Sequence, residues 1–406
     1  MLLAQITDLH LGFDADNPDE FNRERFDQAL RVLTALNPLP DLLLVTGDIA
    51  DDGDDAVSYE RYREAIADLP FPVYSAMGNH DSRAPFLAAF PDAPHAGDGF
   101  IQYAIEDHDL RVLVLDTLEP GRHGGAFCET RAAWLRARLA EAPERPTLIV
   151  LHHPPIDTGI GWLTENPRSE WARRLAGATA GFGNIVGYIC GHVHRAITAS
   201  WAGRPLVVCP STAPQVALDL TPIDPERPDG RPMIIADHPY YALHWWNGAA
   251  LVSHIDTAED HEVLARYTPE LQSLVQLVTD EQKEASRAFG RPKVTQQSHQ
   301  ERRRTALCRF RRRRRERMPG LVGMTRGGRP ATGPKATKVT VRVQKSTTSR
   351  GAEPREEGER ALQRAGEPEP RARVGGKRDR GFPTLEADGG RPKSTLADIN
   401  GAAITT

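Results

Sequence analysis

Acidic, amide and imidazole side chains recur at five points of this sequence, each just after an apolar run. These points carry Asp8 and His10, Asp48, Asn79 and His80, His152 and His153, and His192 and His194. Such side chains bind metal ions and carry protons, so metal or acid–base chemistry is the first hypothesis. A histidine that stands alone is ordinarily structural, and we assign no function to His95, His108, His123, His238, His254 and His261.

The number and type of these side chains predict a pair of metal ions. Imidazole and carboxylate together suit zinc, iron or manganese, whereas an all-oxygen set suits calcium or magnesium. Two or three carboxylates, one amide and up to six histidines exceed the needs of one tetrahedral ion and fit two. Paired ions in hydrolytic sites lie ~3.5–4 Å apart and share a bridging carboxylate. Asp48 is our candidate bridge, because Gly47 lets the backbone turn sharply beneath the ions.

The sequence pattern around these side chains predicts strands that alternate with helices. Apolar runs of strand length precede every ligand point, and helical spacing occurs at residues 21–36, 56–69 and 129–142. This rhythm predicts a parallel sheet with helices outside it, and sites in such folds form beyond the carboxyl ends of the strands. A hairpin at 100–116 and antiparallel strands between 196 and 255 then imply two sheets, one started by parallel units and one finished by hairpins.

Five motifs occur in order after the predicted strands: Asp8-x-His10, Gly47-Asp48-x-x-Asp51, Gly78-Asn79-His80-Asp81, His152-His153-Pro154 and Gly191-His192-x-His194. Together they resemble the motifs of calcineurin-like metallophosphoesterases. Three stretches are further similar to the class III cyclic-nucleotide phosphodiesterases and related glycerophosphodiesterases, namely Gly-Asn-His-Asp, His-His-Pro-Pro and Cys209-Pro210-Ser211-Thr212. The resemblance covers roughly residues 1–260.

This resemblance implies an α/β fold, a four-layer α/β/β/α sandwich. It also implies how the ligands divide: Asp8, His10 and His194 would hold one ion, Asn79, His152 and His192 the other, with Asp48 between them. The family places its ligand histidine two residues before a proline, which selects His152 over His153. Asp51 and Asp81 would orient the loops or an imidazole. The native ions would come from iron, manganese, zinc and cobalt.

The chemistry implied is phosphodiester hydrolysis. Ions offset the charge of the phosphoryl oxygens, and a water bridging both ions loses a proton near neutral pH, so the resulting hydroxide can attack phosphorus. His80 would protonate the leaving alkoxide or hydrogen-bond the phosphoryl group, with Asn79 also touching the substrate. His153 would either face the substrate or cap the Pro-Pro turn. The favoured substrate is a 3′,5′-cyclic nucleotide such as cyclic AMP, giving the 5′-nucleotide, and the near alternative is a glycerophosphodiester.

The net charge of −4 conceals two differently composed parts. Residues 1–280 carry 20 arginines, no lysine and 41 acidic residues, a formal charge of −21, whereas residues 281–406 carry +17. We predict a catalytic domain at 1–260, a helical or linker segment at 261–280, and a disordered basic tail rich in Arg, Gly and Pro at 281–406. An alternative from another class is a nucleic-acid-binding protein acting through this tail. The scarcity of aromatic residues there and the acidic first part argue against it.

Composition excludes several other classes. No run approaches the ~18 apolar residues of a membrane span, so none is predicted. The four cysteines have no CxxC spacing, which argues against a disulfide framework and a cysteine-based zinc site. The first residues lack the basic start of a signal peptide, so we expect a cytoplasmic protein. The resembling family often dimerises, so a homodimer is one alternative, and the sequence leaves the oligomeric state open.

Overall fold

A computed structural model describes residues 1–288 and their side chains as far as Glu284. Two mixed β-sheets form the centre of this part of the chain. The strands are β1 (Leu2–Ile6), β2 (Leu42–Val45), β3 (Val73–Ser75), β4 (Tyr103–Ile105), β5 (Arg111–Val114), β6 (Thr147–Val150), β7 (Ile185–Cys190), β8 (Ile197–Trp201), β9 (Arg204–Val208), β10 (Gln215–Val216), β11 (Ile234–Ile235), β12 (Tyr240–Trp246) and β13 (Leu251–Thr257). The helices are α1 (Phe21–Ala35), α2 (Ala56–Ile66), α3 (Arg83–Ala89), α4 (Glu129–Glu141), α5 (Glu170–Thr179) and α6 (Gln272–Ala288).

The first sheet has the strand order β13-β12-β1-β2-β3. Its strands β1, β2 and β3 are parallel, with Ala4 opposite Leu43 and Leu44 opposite Tyr74, as the strand–helix rhythm predicts. The hairpin β12–β13 returns from the end of the domain and pairs antiparallel with β1, placing Leu243 opposite Ala4. Strand β1 is therefore central, and the residues directly after it start from the middle of the sheet.

The second sheet has the order β4-β5-β6-β7-β9-β8 and corrects one expectation. The sequence pattern predicts antiparallel strands here, and β9 does pair antiparallel with β8, but on its other side β9 pairs parallel with β7, with Ile189 opposite Val207. The reason is that β8 runs along the edge and turns back at Ala202 and Gly203, both at positive φ, so that β9 inserts between β7 and β8. An apolar run predicts a strand but does not specify its partner.

The predicted four-layer α/β/β/α arrangement is confirmed by how the second sheet alternates. Successive residues of a strand point to opposite faces. Val112 and Leu148 join the core shared with the first sheet and α1–α3, whereas Leu113 and Ile149 pack in a separate core with α4 and α5. Both faces of the central strands are thus covered, which explains their continuous apolar sequence.

The C-terminal part of the described chain differs in one respect from the prediction. Helix α6 crosses the predicted boundary at 280 and continues to Ala288. The remainder of the predicted basic tail, residues 289–406, lies outside the described residues. Within residues 1–288, no helix combines the length and apolarity that crossing a membrane requires.

A buried polar network joins the two sheets beneath the ligand points. The Gln5 amide nitrogen donates to Thr46 Oγ1 at 2.8 Å in the first sheet and to the Cys190 carbonyl at 2.9 Å in the second. His244 Nε2 donates to Gln5 Oε1 at 2.9 Å, and Ser253 Oγ donates to His244 Nδ1 at 2.7 Å. Every polar atom of the fully buried Gln5 side chain is satisfied, as burial requires.

This network predicts a loss of stability in acid. Burial, and then the charge of His254, lowers the pKa of His244 to about 4, whereas an unfolded histidine titrates near ~6.5. As pH falls below ~6.5, the unfolded chain binds a proton that the folded chain excludes, so the free energy of unfolding falls. Between pH 7 and pH 4.5 we expect His244 to contribute a loss of about 2–3 kcal/mol.

The measurement is urea unfolding of the metal-free protein at both pH values, beside His244→Gln. Glutamine can still donate to Gln5 but does not titrate, so the variant should lose about 2–3 kcal/mol less than the parent. Equal losses in the two proteins would contradict the assigned protonation of His244.

Candidate metal centre

The strand ends bring all the predicted ligand residues to one place. Asp8, Asp48 and His152 offer ligand atoms within 4.8 Å of one another, and so do Asp8, His10 and His194. Among the residues described, six non-glycine residues have a positive φ, and five of them belong to this site: Asp8, His10, Asp48, His192 and His194. Such backbone conformations cost of order 1–3 kcal/mol each and concentrate at functional sites.

Two glycines allow the turns that carry Asp48 and Asn79 to approach each other. Gly47 has φ +100°, which a residue with a Cβ rarely adopts, and the added Cβ would lie 2.5 Å from His152 Nδ1. A Cβ on Gly78 would overlap the Asp48 carboxylate. The Gly-Asp and Gly-Asn-His motifs therefore have a steric reason: only glycine lets the two loops close over one carboxylate.

The first cluster, formed by Asp8, His10 and His194, has hydrogen-bond acceptors that face each other. His10 Nδ1 donates to Asp51 Oδ1 at 3.0 Å, and His194 Nδ1 donates to the Pro214 carbonyl at 2.8 Å. In each neutral ring the other nitrogen, Nε2, is then an acceptor, yet the two Nε2 atoms lie 3.2 Å apart. Asp8 Oδ1 lies 3.4 Å from His194 Nε2. Acceptors converge in this way where a cation binds between them.

The second cluster, formed by Asn79, His152 and His192, also has acceptors that face each other. His152 Nδ1 donates to the Thr46 carbonyl at 2.8 Å, which leaves Nε2 of the neutral ring as an acceptor. That Nε2 lies 3.1 Å from Asp48 Oδ2 and 3.3 Å from Asn79 Oδ1. The His192 ring stands 5.1 Å from the His152 ring, and its backbone N–H donates to the Asp8 carboxylate at 3.0 Å. The donor set thus fits a second cation held by imidazole, amide and carboxylate.

Asp48 lies between the two clusters. Its Oδ1 accepts the His80 backbone N–H at 2.8 Å, which fixes the carboxylate plane. Its Oδ2 is 3.1 Å from His152 Nε2 and 3.8 Å from His10 Nε2, one atom of each cluster. This is the position that a bridging carboxylate needs, and Asp48 is only 2% exposed.

The electrostatics of the site favour positive charge at its centre. Burial alone would raise the pKa of the Asp48 carboxyl, but His152 and then His10 outweigh it and hold that pKa well below its ordinary value. Burial opposes protonation of His152, yet Asp48 raises its pKa to about 9. By contrast, burial, and then the charge of His152, lowers the pKa of His192 well below its usual value, which keeps this ring available as a neutral ligand.

Asp51 and Asp81 orient the site as expected for residues outside the ligand set. The Asp51 carboxylate accepts a hydrogen bond from His10 Nδ1, and the Asp51 carbonyl accepts one from His80 Nδ1 at 2.8 Å. Asp81 accepts the backbone N–H groups of Ile49 at 3.0 Å and Gly78 at 2.9 Å, tying the two ligand loops together. Burial and the Asp48 charge raise the pKa of Asp81 to about 7.

His153, predicted to bind substrate, is buried at 1% exposure. Its Nδ1 lies 2.8 Å from Thr117 Oγ1, and its ring stands 4.6 Å from the His192 ring. Its buried Nε2 has no hydrogen-bond partner among the described residues, so this atom can still meet a ligand. Substrate contact by His153 stays a prediction.

Sequence reasoning missed His123, which it left unassigned. The Asn79 amide nitrogen lies 3.2 Å from His123 Nδ1, and the His123 ring stands 4.9 Å from the His192 ring. His123 belongs to an irregular stretch between β5 and α4, so no strand end marks it. A histidine between two glycine-rich turns, Gly121 and Gly124-Gly125, is the only local signal, and it is weak.

Comparison with known proteins agrees with the site. A model of the calcineurin-like phosphoesterase family matches residues 1–196. A probable glycerophosphodiester phosphodiesterase GpdQ of Arcobacter nitrofigilis is 30% identical over 250 residues, covering 61% of this chain and 89% of that protein. The 3′,5′-cyclic adenosine monophosphate phosphodiesterase CpdA of Escherichia coli K12 is 33% identical, covering 52% and 76%. A probable cyclic nucleotide phosphodiesterase of Rhodopseudomonas palustris is 35% identical, covering 48% and 72%.

The segment matched by the family model contains every predicted ligand, from Asp8 to His194. The paired clusters around Asp48, the steric need for Gly47 and Gly78, and the similarity to relatives along most of their length point the same way. This chain belongs to the calcineurin-like phosphoesterase family.

Proposed function

We propose that this chain is a dinuclear metal phosphodiesterase in which one ion is held by Asp8, His10 and His194, the other by Asn79, His152 and His192, and both by Asp48. The observation that carries the proposal is the position of Asp48 Oδ2 between His10 Nε2 and His152 Nε2. Carbonyl and carboxylate partners at the Nδ1 atoms of His10, His152 and His194 hold each ring with Nε2 toward the centre. Such outer partners orient ligands and raise their basicity.

When bound, the ions would offset the charge of the phosphoryl oxygens and lower the pKa of a water, so that hydroxide is available as the nucleophile near neutral pH. The chain supplies the rest. Asn79 and His80 both follow β3: Asn79 Oδ1 lies 3.3 Å from His152 Nε2 in the second cluster, whereas the His80 ring stands 4.6 Å from the His10 ring of the first. The His80 ring is fixed through its Nδ1 on the Asp51 carbonyl, so a proton for the leaving alkoxide would be held at Nε2.

For the substrate we propose a 3′,5′-cyclic nucleotide, with cyclic AMP as the best candidate and the 5′-nucleotide as product. Two features support it. The Asn-His pair and the His-His-Pro-Pro stretch are arranged in one site, and relatives named as cyclic nucleotide phosphodiesterases reach 33% and 35% identity. A glycerophosphodiester is the second candidate, favoured by the relative named GpdQ, which the chain covers over 89% of its length.

Kinetics of the full chain rank these substrates. With Mn²⁺ supplied, kcat/KM for cyclic AMP should exceed that for glycerophosphocholine, measured side by side on one preparation. A higher value for glycerophosphocholine would replace the first candidate by the second. No hydrolysis of either compound, or of an activated aryl phosphodiester, would overturn the phosphodiesterase proposal itself.

The alternative of nucleic-acid binding through the Arg-rich tail gains no support from the described residues. The charge of −21 on residues 1–280 repels a polyanion from the surface around the site. The tail, the cytoplasmic location and the choice among iron, manganese, zinc and cobalt stay predictions from the sequence, as does the alternative of a homodimer.

A further inference from the structure

His123 lies at the metal centre although it belongs to none of the five motifs. Its ring stands 4.9 Å from the His192 ring, and its Nδ1 lies 3.2 Å from the Asn79 amide nitrogen. The side chain is exposed, unlike the buried His152 and His153. His123 therefore sits between the second cluster and solvent, on the side from which a substrate must arrive.

The hydrogen bond to Asn79 decides which nitrogen of His123 carries its proton. Asn79 Oδ1 faces His152 Nε2 at 3.3 Å, within the second cluster, so its amide nitrogen points to His123. An amide nitrogen only donates, and His123 Nδ1 must accept. A neutral imidazole with an accepting Nδ1 carries its proton on Nε2. Among the described residues, that N–H meets no acceptor.

We propose that His123 is a substrate-binding residue whose Nε2–H donates a hydrogen bond to a non-bridging, anionic oxygen of the phosphodiester. The proposal rests on the proposed phosphodiesterase function and adds a residue to it. The roles of His123 and His80 differ in chemistry. His80 Nδ1 donates to a carbonyl, so its Nε2 carries a proton only in the imidazolium form, which can transfer that proton, whereas His123 offers a donor in its neutral form. His80 therefore suits proton transfer to the leaving group, and His123 suits a fixed hydrogen bond to charge.

Two replacements separate the two nitrogens of His123. In His123→Asn the amide reaches only the Nδ1 position, so the donor to the substrate is lost. In His123→Gln the amide nitrogen can reach the Nε2 position and restore it. The matched control is His95→Asn, because His95 is also exposed and its Nδ1 also accepts an N–H, that of Gly97 at 3.1 Å, within its own loop.

The kinetic experiment uses the metal-loaded full chain with cyclic AMP and with a p-nitrophenyl phosphodiester. A hydrogen bond to a charged oxygen is worth about 10- to 100-fold in kcat/KM, and His123→Asn should lose that factor equally on both substrates. His123→Gln should regain most of it, His95→Asn should match the parent, and all should keep the parent's metal content. Loss of metal in His123→Asn, a loss that grows with the leaving-group pKa, or activity within twofold of the parent would each overturn the proposal.

The tautomer gives a readout that does not involve activity. In the metal-free protein with ¹⁵N-labelled histidine, a long-range ¹H–¹⁵N spectrum should show His123 protonated at Nε2, and Asn79→Ala should remove this preference. Protonation of His123 at Nδ1 would overturn the proposal even if the enzyme is active. A parent chain that hydrolyses no phosphodiester, with the Nε2 tautomer present, would instead identify the proposed function as the failing step, and substrate binding by His123 would fall with it.

Discussion

Asp48→Asn should lower kcat/KM for cyclic AMP by more than about 100-fold, the largest effect that we expect from one substitution. Replacing a residue that only orients a ligand costs ~10- to 100-fold, and Asp48 is placed to serve both ions directly. The asparagine keeps the acceptor for the His80 backbone N–H but turns a donor toward His10 and His152, where both ions would bind. Hydrolysis of cyclic AMP by the metal-supplied variant is the measurement.

The control for Asp48→Asn is the same change at an exposed acid. Asp98 lies in the loop before β4, and among residues 1–288 its carboxylate accepts only the backbone N–H of Phe100, two residues away, which makes Asp98→Asn the control. This variant should keep the parent's activity. An Asp48→Asn protein that folds like the parent and retains more than a tenth of its activity would contradict the bridging role.

His80→Ala should lower kcat by about 10²–10⁴-fold on cyclic AMP and much less on a p-nitrophenyl phosphodiester. The reason is that p-nitrophenolate leaves without a proton, whereas the alkoxide of a ribose needs one. His80 is held for this by the Asp51 carbonyl, and one of its ring nitrogens lies within 4.8 Å of ligand atoms of His10 and Asp48. Steady-state kinetics over a series of leaving groups measures the effect.

The metal content of His80→Ala separates this role from ligation. We expect the parent's content, because the clusters around Asp48 are complete without His80. An equal loss on every leaving group would remove the role of acid, and a lost ion would make His80 a ligand.

Much of the site could be predicted because strand ends are visible in a sequence. The apolar runs before the five ligand points are β1, β2 and β3 of the first sheet and β6 and β7 of the second. Each sheet places the residues that follow the carboxyl ends of its parallel strands at one edge. Aspartate adopts positive φ more often than most side chains but still uncommonly, so residue type alone does not predict this conformation at Asp8 and Asp48. Only the assembled site explains why that backbone strain is kept.

Other parts depend on contacts between residues far apart in the chain. Gln5 and His244 are 239 residues apart, and neither alone indicates that a buried network joins the two sheets. His123 meets Asn79 because an irregular loop folds over the second cluster, and no periodicity predicts such a loop. The parallel pairing of β9 with β7 depends on a turn at Ala202 and Gly203 rather than on the pattern of β9 itself.

The moles of metal bound per chain test the central claim most directly. We predict that elemental analysis of the purified protein, supplied with metal and freed of excess, gives two ions per chain, and that Asp48→Asn gives fewer than one. One ion per chain or none in the parent, or two in the variant, would contradict a pair of ions held around a shared aspartate.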